Sequence, residues 1–247
     1  MSDAILEVAA NSVASACAAQ AGGAARVELC AALEVGGLTP SHAMIAMARE
    51  KLDIAVYVLI RPRAGDFVYS ELEIETMRRD IDMCAALGCD GVVVGALHAD
   101  GVVDPAACRI LVAAAGNMGV TFHRAFDLVP DQHAALEDIV ALGCERILTS
   151  GGQSDAVAGA ARIRELVEQA GERLVVMPGA GVNSGNVAAL ARATGAREFH
   201  ASAKRMLPSR FRIDTSFVDM RAGESRTDEA EVRALVAALE STEVDGA

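Results

Sequence analysis

Side chains that can move protons or hold anions follow several short apolar segments of the chain. VTFHRAFD carries His123, Arg124 and Asp127, and IRPRAGDF carries Arg61 and Arg63. A histidine near a carboxylate is suited to general acid–base catalysis, and arginine is suited to binding carboxylate or phosphate groups. Because both segments end in such side chains, we interpret them as strands that converge on one site.

Segments nearer the two ends of the chain show the same pattern. Glu7 lies in the first apolar segment, VELC carries Glu28 and Cys30, and FHASA carries His200 and Ser202. Side chains alternate between the two faces of a strand, and this alternation turns all five toward the interior of a barrel. The predicted catalytic residues are Glu7, Glu28, Arg61, His123, Asp127 and His200.

Glycine-rich segments in the second half of the chain predict an anion-binding site. PGAGV contains Gly179 and Gly181, and a helix start is predicted directly after it, at Asn183–Ser184. The backbone N–H groups of such a turn and the positive end of the helix dipole both favour a bound anion. The predicted anion-binding residues are Arg63, Arg124, Gly151, Gly179, Gly181 and Ser202.

Each of these residues also has a purely structural interpretation. His123 would suit a core position in which a backbone carbonyl satisfies the ring, and Arg61 would suit the flank of a proline turn. Glu28 would suit an ion pair that braces the barrel, and the glycines would suit tight turns. Cys30 would suit a small packed apolar position, as the other cysteines do. The sequence leaves these alternatives open.

Eight short β-rich segments alternate with alanine-rich, helix-favouring segments along the chain. The predicted strands lie near Ile5–Val8, Arg26–Cys30, Ile54–Ile60, Gly91–Gly95, Val120–His123, Arg146–Thr149, Leu174–Met177 and Glu198–His200. This alternation predicts an α/β fold, and eight units close into a single (β/α)8 TIM-type barrel over residues 1–247. The rival fold, a doubly wound sheet, usually shows GxGxxG after the first strand, where this chain has AANSVASA.

Two finer expectations follow from a barrel. Strand parity turns Thr149 of the sixth strand and Met177 of the seventh strand toward the interior. Residues 204–226, after the eighth strand, are predicted to form a long irregular loop, which in a compact domain is usually a lid or a binding loop.

The composition narrows the classes of partner. The net charge of -12 and the pI near 4.9 argue against nucleic acid and anionic membranes as partners. The six cysteines show neither CxxC nor the spacing of a disulfide framework. The N-terminus lacks the features of a signal peptide, and no segment has the uninterrupted apolar length of a membrane-spanning helix. These features predict a reduced, cytoplasmic protein.

The chain resembles the CutC family of copper homeostasis proteins. The matching segments are RVELCAALEVGGLTPS from Arg26, IRPRAGDFVYS from Ile60, VTFHRAFD from Val120, ILTSGG from Ile147, VMPGAGV from Val176 and EFHASA from Glu198. The resemblance implies a TIM-type barrel, a cytoplasmic location, self-association into dimers or tetramers, and Cu(I) held by a cysteine thiol. In this chain that thiol is Cys30, because Ala9 and Ala201 stand where relatives often carry further cysteines.

Three functions are consistent with the sequence. The resemblance favours a copper homeostasis protein that binds Cu(I) through Cys30. The predicted site favours an enzyme that performs acid–base chemistry on a small phosphorylated or carboxylated substrate. A non-catalytic, ligand-binding oligomer is the third hypothesis, since a fold by itself does not define a function.

Overall fold

Parallel strands and helices alternate along the chain in the computed structural model, which describes residues 4–212 and 223–242. The strands of the main sheet are β1 (Ile5–Ala10), β2 (Arg26–Leu29), β3 (Ala55–Leu59), β4 (Gly91–Val94), β5 (Gly119–Phe122), β6 (Arg146–Thr149), β7 (Val175–Pro178) and β8 (Glu198–Ala201). The helices are α1 (Val13–Ala21), α2 (His42–Lys51), α3 (Glu71–Ala86), α4 (Pro105–Ala115), α5 (Gln132–Leu142), α6 (Ala160–Ala170), α7 (Val187–Thr194) and α8 (Glu229–Glu240).

The strands form a nearly closed barrel. Strands β1 to β7 pair in sequence order, and β8 pairs with β1, so all the ladders of this sheet are parallel. Within the described residues, β7 and β8 share no ladder, and the seam between them stays open. The predicted (β/α)8 TIM-type barrel is thereby confirmed. None of the described helices is long and apolar enough to cross a membrane.

Local signals explain where helices begin. Ser70 and Glu73 form a capping box at the start of α3, in which each side chain satisfies a backbone N–H of the other residue. Asp104 accepts two backbone N–H groups at the start of α4, and Pro105 occupies the first helical position, where its missing N–H has no cost. The loop that precedes α3 carries Arg61 and Phe67, so the capping box also limits the freedom of that loop.

A buried ion network forms the floor of the barrel interior. Arg26 forms ion pairs with Glu7 and with Glu198, the latter at 2.6 Å from Nη2 to Oε2, and Arg146 Nε lies 2.6 Å from the same oxygen of Glu198. Both guanidinium groups lie over the ring of Tyr57, at 5.1 and 5.4 Å from its centroid. Buried charges are tolerated because each has partners of opposite sign.

The stretch after β8 is more regular than the sequence suggested. Residues 204–226 were expected to form an irregular loop, but Lys204–Leu207 (β9) and Glu224–Thr227 (β10) form an antiparallel two-stranded sheet. The centre of the predicted loop, residues 213–222, lies outside the described residues. Two residues separate the end of β8 from the start of β9, so the small sheet begins near the rim of the barrel.

Gly91 makes room for the ring of Tyr57. A Cβ atom at position 91 would lie 2.2 Å from the nearest ring carbon. We expect Gly91→Ala to lower the free energy of unfolding by about 1–3 kcal/mol, the usual cost of overpacking, as measured by urea unfolding. In a Tyr57→Leu background the same substitution should cost much less, because the clashing ring is gone. An equal cost in both backgrounds would contradict this packing.

Candidate functional site

A cavity of about 730 Å³ opens at the carboxyl ends of the barrel strands, which is the usual place for a site in this fold. The predicted site residues that line it are Glu28, Cys30, Arg61, His123, Arg124, Gly181, His200 and Ser202. These side chains come from β2, β3, β5, β7 and β8 or from the residues that follow them, so distant segments of the sequence meet here. The predicted residues that do not line the cavity are Glu7, Arg63, Asp127, Gly151 and Gly179.

His200 is held from behind by a buried carboxylate. Its Nδ1 atom lies 2.8 Å from Glu7 Oε1, because the two residues are direct partners in the β1–β8 ladder. Burial alone would lower the pKa of His200, but the hydrogen bond to Glu7 and the charges of Glu28 and Glu7 outweigh it and raise that pKa. With Nδ1 bound to Glu7, Nε2 is the nitrogen left for a ligand, as in other carboxylate–histidine pairs.

Glu7 itself is fully buried and does not reach the cavity. Burial alone would raise its pKa, but the charge of Arg26 and the hydrogen bond with His200 lower the pKa to about 2. Glu7 is therefore a carboxylate at neutral pH, and it positions His200 instead of contacting a ligand. The catalytic role predicted for Glu7 stays a prediction, and this position would make that role indirect.

The carboxyl group of Glu28 has a pKa that is raised to near neutral pH. Its Oε2 atom lies 3.5 Å from His200 Nδ1 and has no hydrogen-bond partner among the described residues. Burial raises the pKa of Glu28 to about 7. The negative charge of Glu7 acts in the same direction, and the charge of His200 acts in the opposite direction. A carboxyl group with such a pKa can act as a base or as an acid at physiological pH.

His123 behaves in the opposite way to His200. Burial, reinforced by the charge of Arg61, lowers the pKa of His123 to about 3, so the ring is neutral at physiological pH. Its Nδ1 atom accepts the backbone N–H of Ala125 at 3.2 Å, which assigns the ring proton to Nε2. Nε2 is buried and has no partner among the described residues. His123 thus offers a hydrogen-bond donor at Nε2, and the catalytic role predicted from the sequence stays a prediction.

Arg61 is a buried cation that lacks an anionic partner. Its two terminal nitrogens donate to the backbone carbonyls of Val35, Gly37 and Gly65, at 2.8–2.9 Å. Its Nε atom is buried and forms no hydrogen bond among the described residues, although the Tyr69 hydroxyl interacts with the Arg61 side chain. No carboxylate of the described residues forms an ion pair with the guanidinium group. A buried charge without a counterion is costly, which indicates that a ligand supplies the negative charge.

Arg61 and His123 both pack on the ring of Phe67. The Arg61 guanidinium carbon lies 5.0 Å from the centroid of the Phe67 ring, and the His123 ring centroid lies 4.7 Å from it. A Cβ atom at Gly95 would lie 2.5 Å from the His123 ring, so the absence of a side chain at position 95 leaves the ring its space. Phe67 belongs to the IRPRAGDF segment, but its role was not predicted.

The loops after β2, β7 and β8 contain strained alanines at the rim of the cavity. Ala32, Ala180 and Ala203 have φ angles of 49°, 77° and 43°, in the left-handed region that alanine rarely occupies. Such strain costs about 1–3 kcal/mol per residue and clusters at functional sites. The backbone N–H groups of Ala180 and Gly181 donate to no acceptor among the described residues, and Lys204, a residue that sequence reasoning missed, lines the same side.

Asp127 and Arg63 are occupied elsewhere. Asp127 accepts hydrogen bonds from Thr149 Oγ1, from the hydroxyl and N–H groups of Ser150, and from Arg124, so it fixes the loop after β6. Its predicted catalytic role is not supported by this position, because every oxygen is already used. Arg63 is likewise paired, with Glu73 and Asp66, and lies on an exposed loop away from the cavity.

Two predicted glycines serve packing instead of anion binding. The N–H of Gly151 donates to Thr149 Oγ1, and a Cβ atom at Gly151 would meet the backbone of Gly159. A Cβ atom at Gly179 would lie 2.5 Å from the side chain of Leu148, so Gly179 makes room for that residue. Leu148 lines the cavity, whereas Thr149 does not. Because neighbouring residues of a strand face opposite sides, Thr149 faces outward, and the parity predicted for the sixth strand was wrong.

Strand parity could have revealed the floor of the site. Arg26 lies two residues before Glu28, and Glu198 lies two residues before His200, so each shares the inward face of its strand. Arg146 lies two residues before Leu148, and the parity error in the sixth strand concealed it. Met177 does point inward as predicted, with its sulfur 3.5 Å from Arg26 Nη2 at the floor.

The residues present fit Cu(I) poorly. Cu(I) prefers two or three soft ligands together, and Cys30 supplies the only sulfur that the described residues contribute to the lining of the cavity. Burial, with the charges of Glu28 and Glu34, raises the pKa of the Cys30 thiol well above its usual range, which disfavours the thiolate that binds metal. The ligand atoms of Glu7, Glu28 and His200 lie within 4.8 Å of one another, a set suited to a harder divalent cation.

Glu28 should make the stability of the protein depend on pH. Its pKa rises from 4.5 in the unfolded chain to about 7 on folding, so its unfavourable contribution grows between those pH values and is complete above them. The difference in unfolding free energy between Glu28→Gln and the unsubstituted protein should shift by about 3 kcal/mol in favour of the variant between pH 4.5 and pH 8, as measured by urea unfolding. The exposed Glu71→Gln serves as the control, and a pH-independent effect of Glu28→Gln would contradict the assignment.

Comparison with known proteins agrees with the barrel and its motifs. The CutC family pattern matches residues 4–205. A CutC family protein of Xanthomonas campestris pv. campestris is 55% identical over 237 residues, which cover 96% of this chain and 99% of the relative. The crystal structure of a CutC protein from Streptococcus agalactiae, named for copper homeostasis, has a TM-score of 0.77 at 35% identity and covers 81% of this chain and 98% of its own.

More distant structures share the fold alone. A thiamine phosphate pyrophosphorylase from Pyrococcus furiosus has a TM-score of 0.61 at 15% identity and covers 97% of each chain. At this level of identity the similarity carries the architecture and no function. The family match covers most of the chain, and the close relatives match over nearly their whole length. The chain belongs to the CutC family.

Proposed function

We propose that this protein is an enzyme that transfers protons on a small anionic substrate bound in the cavity. The observation that carries the proposal is Arg61, a buried arginine that lines the cavity, has an unpartnered Nε atom and forms no ion pair with the described residues. A substrate phosphate or carboxylate group would supply the missing negative charge. Because Arg61 is buried, such a pairing would be stronger than one at the surface.

The proposed proton carriers are His200 and Glu28. Glu7 holds Nδ1 of His200, so that Nε2 can take or give a proton at the cavity. Glu28 has a pKa of about 7, so both of its protonation states are populated at neutral pH. His200 is hydrogen-bonded to Glu7, whereas Oε2 of Glu28 has no hydrogen-bond partner among the described residues. Because their surroundings differ, one group can act as the base and the other as the acid.

The second anchor for the substrate is proposed at the open seam between β7 and β8. Lys204 and the free N–H groups of Ala180 and Gly181 lie on this side of the cavity. Arg124 also lines the cavity and is 45% exposed, although its Nε atom is engaged by Asp127. A ligand with negative charge at one end and a reacting group at the other would fit between this seam and Arg61.

Arg61 and Arg63 provide a matched pair of variants for testing anion binding. We expect phosphorylated or carboxylated compounds from a metabolite library to raise the melting temperature, because a ligand at 100 times its Kd adds about 2.7 kcal/mol of stability. Arg61→Gln should abolish the shift, and Arg63→Gln should preserve it, since Arg63 is paired with Glu73 and Asp66 on the surface. Equal loss in both variants, or no shift by any anion, would contradict the proposal.

Turnover separates an enzyme from a ligand-binding protein. Compounds that stabilise the protein are incubated with it, and their conversion is followed by NMR. Binding without any conversion would favour the third hypothesis, a non-catalytic ligand-binding oligomer. Self-association into dimers or tetramers and a cytoplasmic location are further proposals, and the six free cysteines agree with a reducing compartment.

Copper binding is the second candidate, supported by the name of the Streptococcus agalactiae relative and by the position of Cys30 in the cavity lining. If it is correct, a competition titration with a Cu(I) chelator should show binding that Cys30→Ser weakens at least tenfold. Cys144→Ser is the matched control, because Cys144 is also buried but does not line the cavity. Binding that both variants retain would remove Cys30 from the candidate site, and an absence of binding would remove the candidate.

A further inference from the structure

Arg61 and His123 both line the cavity, and each carries a buried hydrogen-bond donor without a partner among the described residues. Both side chains pack on Phe67, at 5.0 and 4.7 Å from its centroid, and both line the cavity. Arg61 Nε and His123 Nε2 are each buried and each without a partner among the described residues. Unsatisfied buried donors are rare in folded proteins, so two of them on side chains that share a packing partner require an explanation.

From this geometry we infer that Arg61 Nε and His123 Nε2 form an oxyanion hole, and that the substrate is a carbonyl compound which the enzyme converts to its enolate. An enolate oxygen carries more negative charge than the carbonyl oxygen of the ground state. Preorganised donors aimed at that oxygen therefore stabilise the transition state more than the substrate. The inference rests on the proposed function and names its substrate class.

The hydrogen bonding of His123 suits a donor at Nε2. Nδ1 accepts the N–H of Ala125, so Nε2 carries the proton. Burial and the charge of Arg61 keep the ring neutral, with a pKa of about 3. A neutral imidazole that polarises a carbonyl is the arrangement known for the electrophilic histidine of triosephosphate isomerase. Arg61 adds a permanent positive charge next to it.

A base lies in the same cavity, as enolisation requires. Glu28 Oε2 is unpartnered, and Nε2 of His200 is free of Glu7. Glu28 or His200 would remove a proton from the carbon next to the carbonyl group. The C–H electron pair would form a C=C bond, and the carbonyl π pair would move to the oxygen held by Arg61 and His123. The same groups would then return the proton to carbon, so the cycle needs no oxidant, reductant or second substrate.

Exchange of carbon-bound hydrogen with solvent tests the inference directly. The protein is incubated in D2O with dihydroxyacetone phosphate, glycolaldehyde phosphate, ribose 5-phosphate, pyruvate and 2-oxoglutarate, and deuterium incorporation is followed by proton NMR. We expect at least one compound to exchange faster than in buffer. His123→Leu should reduce that rate about 100- to 1000-fold, the usual effect of losing one oxyanion donor.

His123→Gln is the variant that separates a donor from a base. Glutamine retains a neutral N–H donor, so exchange should recover to within about tenfold of the unsubstituted protein, with an unchanged pH profile. Circular dichroism checks that each variant is folded. If His123→Leu does not fold, Arg61→Lys takes its place, because lysine keeps the charge but lacks the Nε donor; it should lose exchange similarly.

The outcomes distinguish this inference from the proposed function. Equal losses in His123→Gln and His123→Leu, or a shifted pH profile in His123→Gln, would overturn the oxyanion hole. Anions that bind through Arg61 and are converted, with no carbonyl compound exchanging, would also overturn it and leave the proposed function standing. Failure of every anion to bind would remove both.

Discussion

The buried carboxylate of Glu7 joins the floor of the barrel to its mouth. On one side it pairs with Arg26, which also pairs with Glu198, and on the other side it holds Nδ1 of His200. Because Glu7 is fully buried, both partners are needed to keep its charge, and their positions are fixed by direct pairing in the β1–β2 and β1–β8 ladders. The orientation of His200 is thus set by the closure of the barrel itself.

The two histidines of the cavity show how environment divides chemical roles. His200 lies beside two carboxylates, which raise its pKa, whereas His123 lies beside Arg61 and is fully buried, so its pKa falls to about 3. The surroundings of His200 favour its protonated form, whereas the neutral ring of His123 accepts a hydrogen bond at Nδ1 and has a donor at Nε2. The hard and borderline groups around them suit protons and anions better than Cu(I), for which Cys30 offers one soft ligand.

Much of the architecture could be predicted from the sequence, because the alternation of apolar periods and the parity within strands are local properties. Parity correctly brought Glu28, Cys30 and His200 to one cavity. It could not reveal which groups pair across the barrel. Asp127 accepts hydrogen bonds from the end of β6 and the loop after it, and Arg63 forms an ion pair with Glu73. Neither residue lines the cavity. The charge state of His123 likewise depends on its burial beside Arg61, which no single segment of sequence specifies.

A crystal structure grown with oxalate would show whether the cavity of this CutC family protein holds an anion on Arg61 and His123. Data collected at the copper absorption edge after exposure to Cu(I) would test the alternative in the same crystals. We expect oxalate oxygens within hydrogen-bonding distance of Arg61 Nε and His123 Nε2, with no anomalous peak at Cys30 Sγ. A copper peak at Cys30 in a cavity that contains no anion would contradict anion binding by these two side chains.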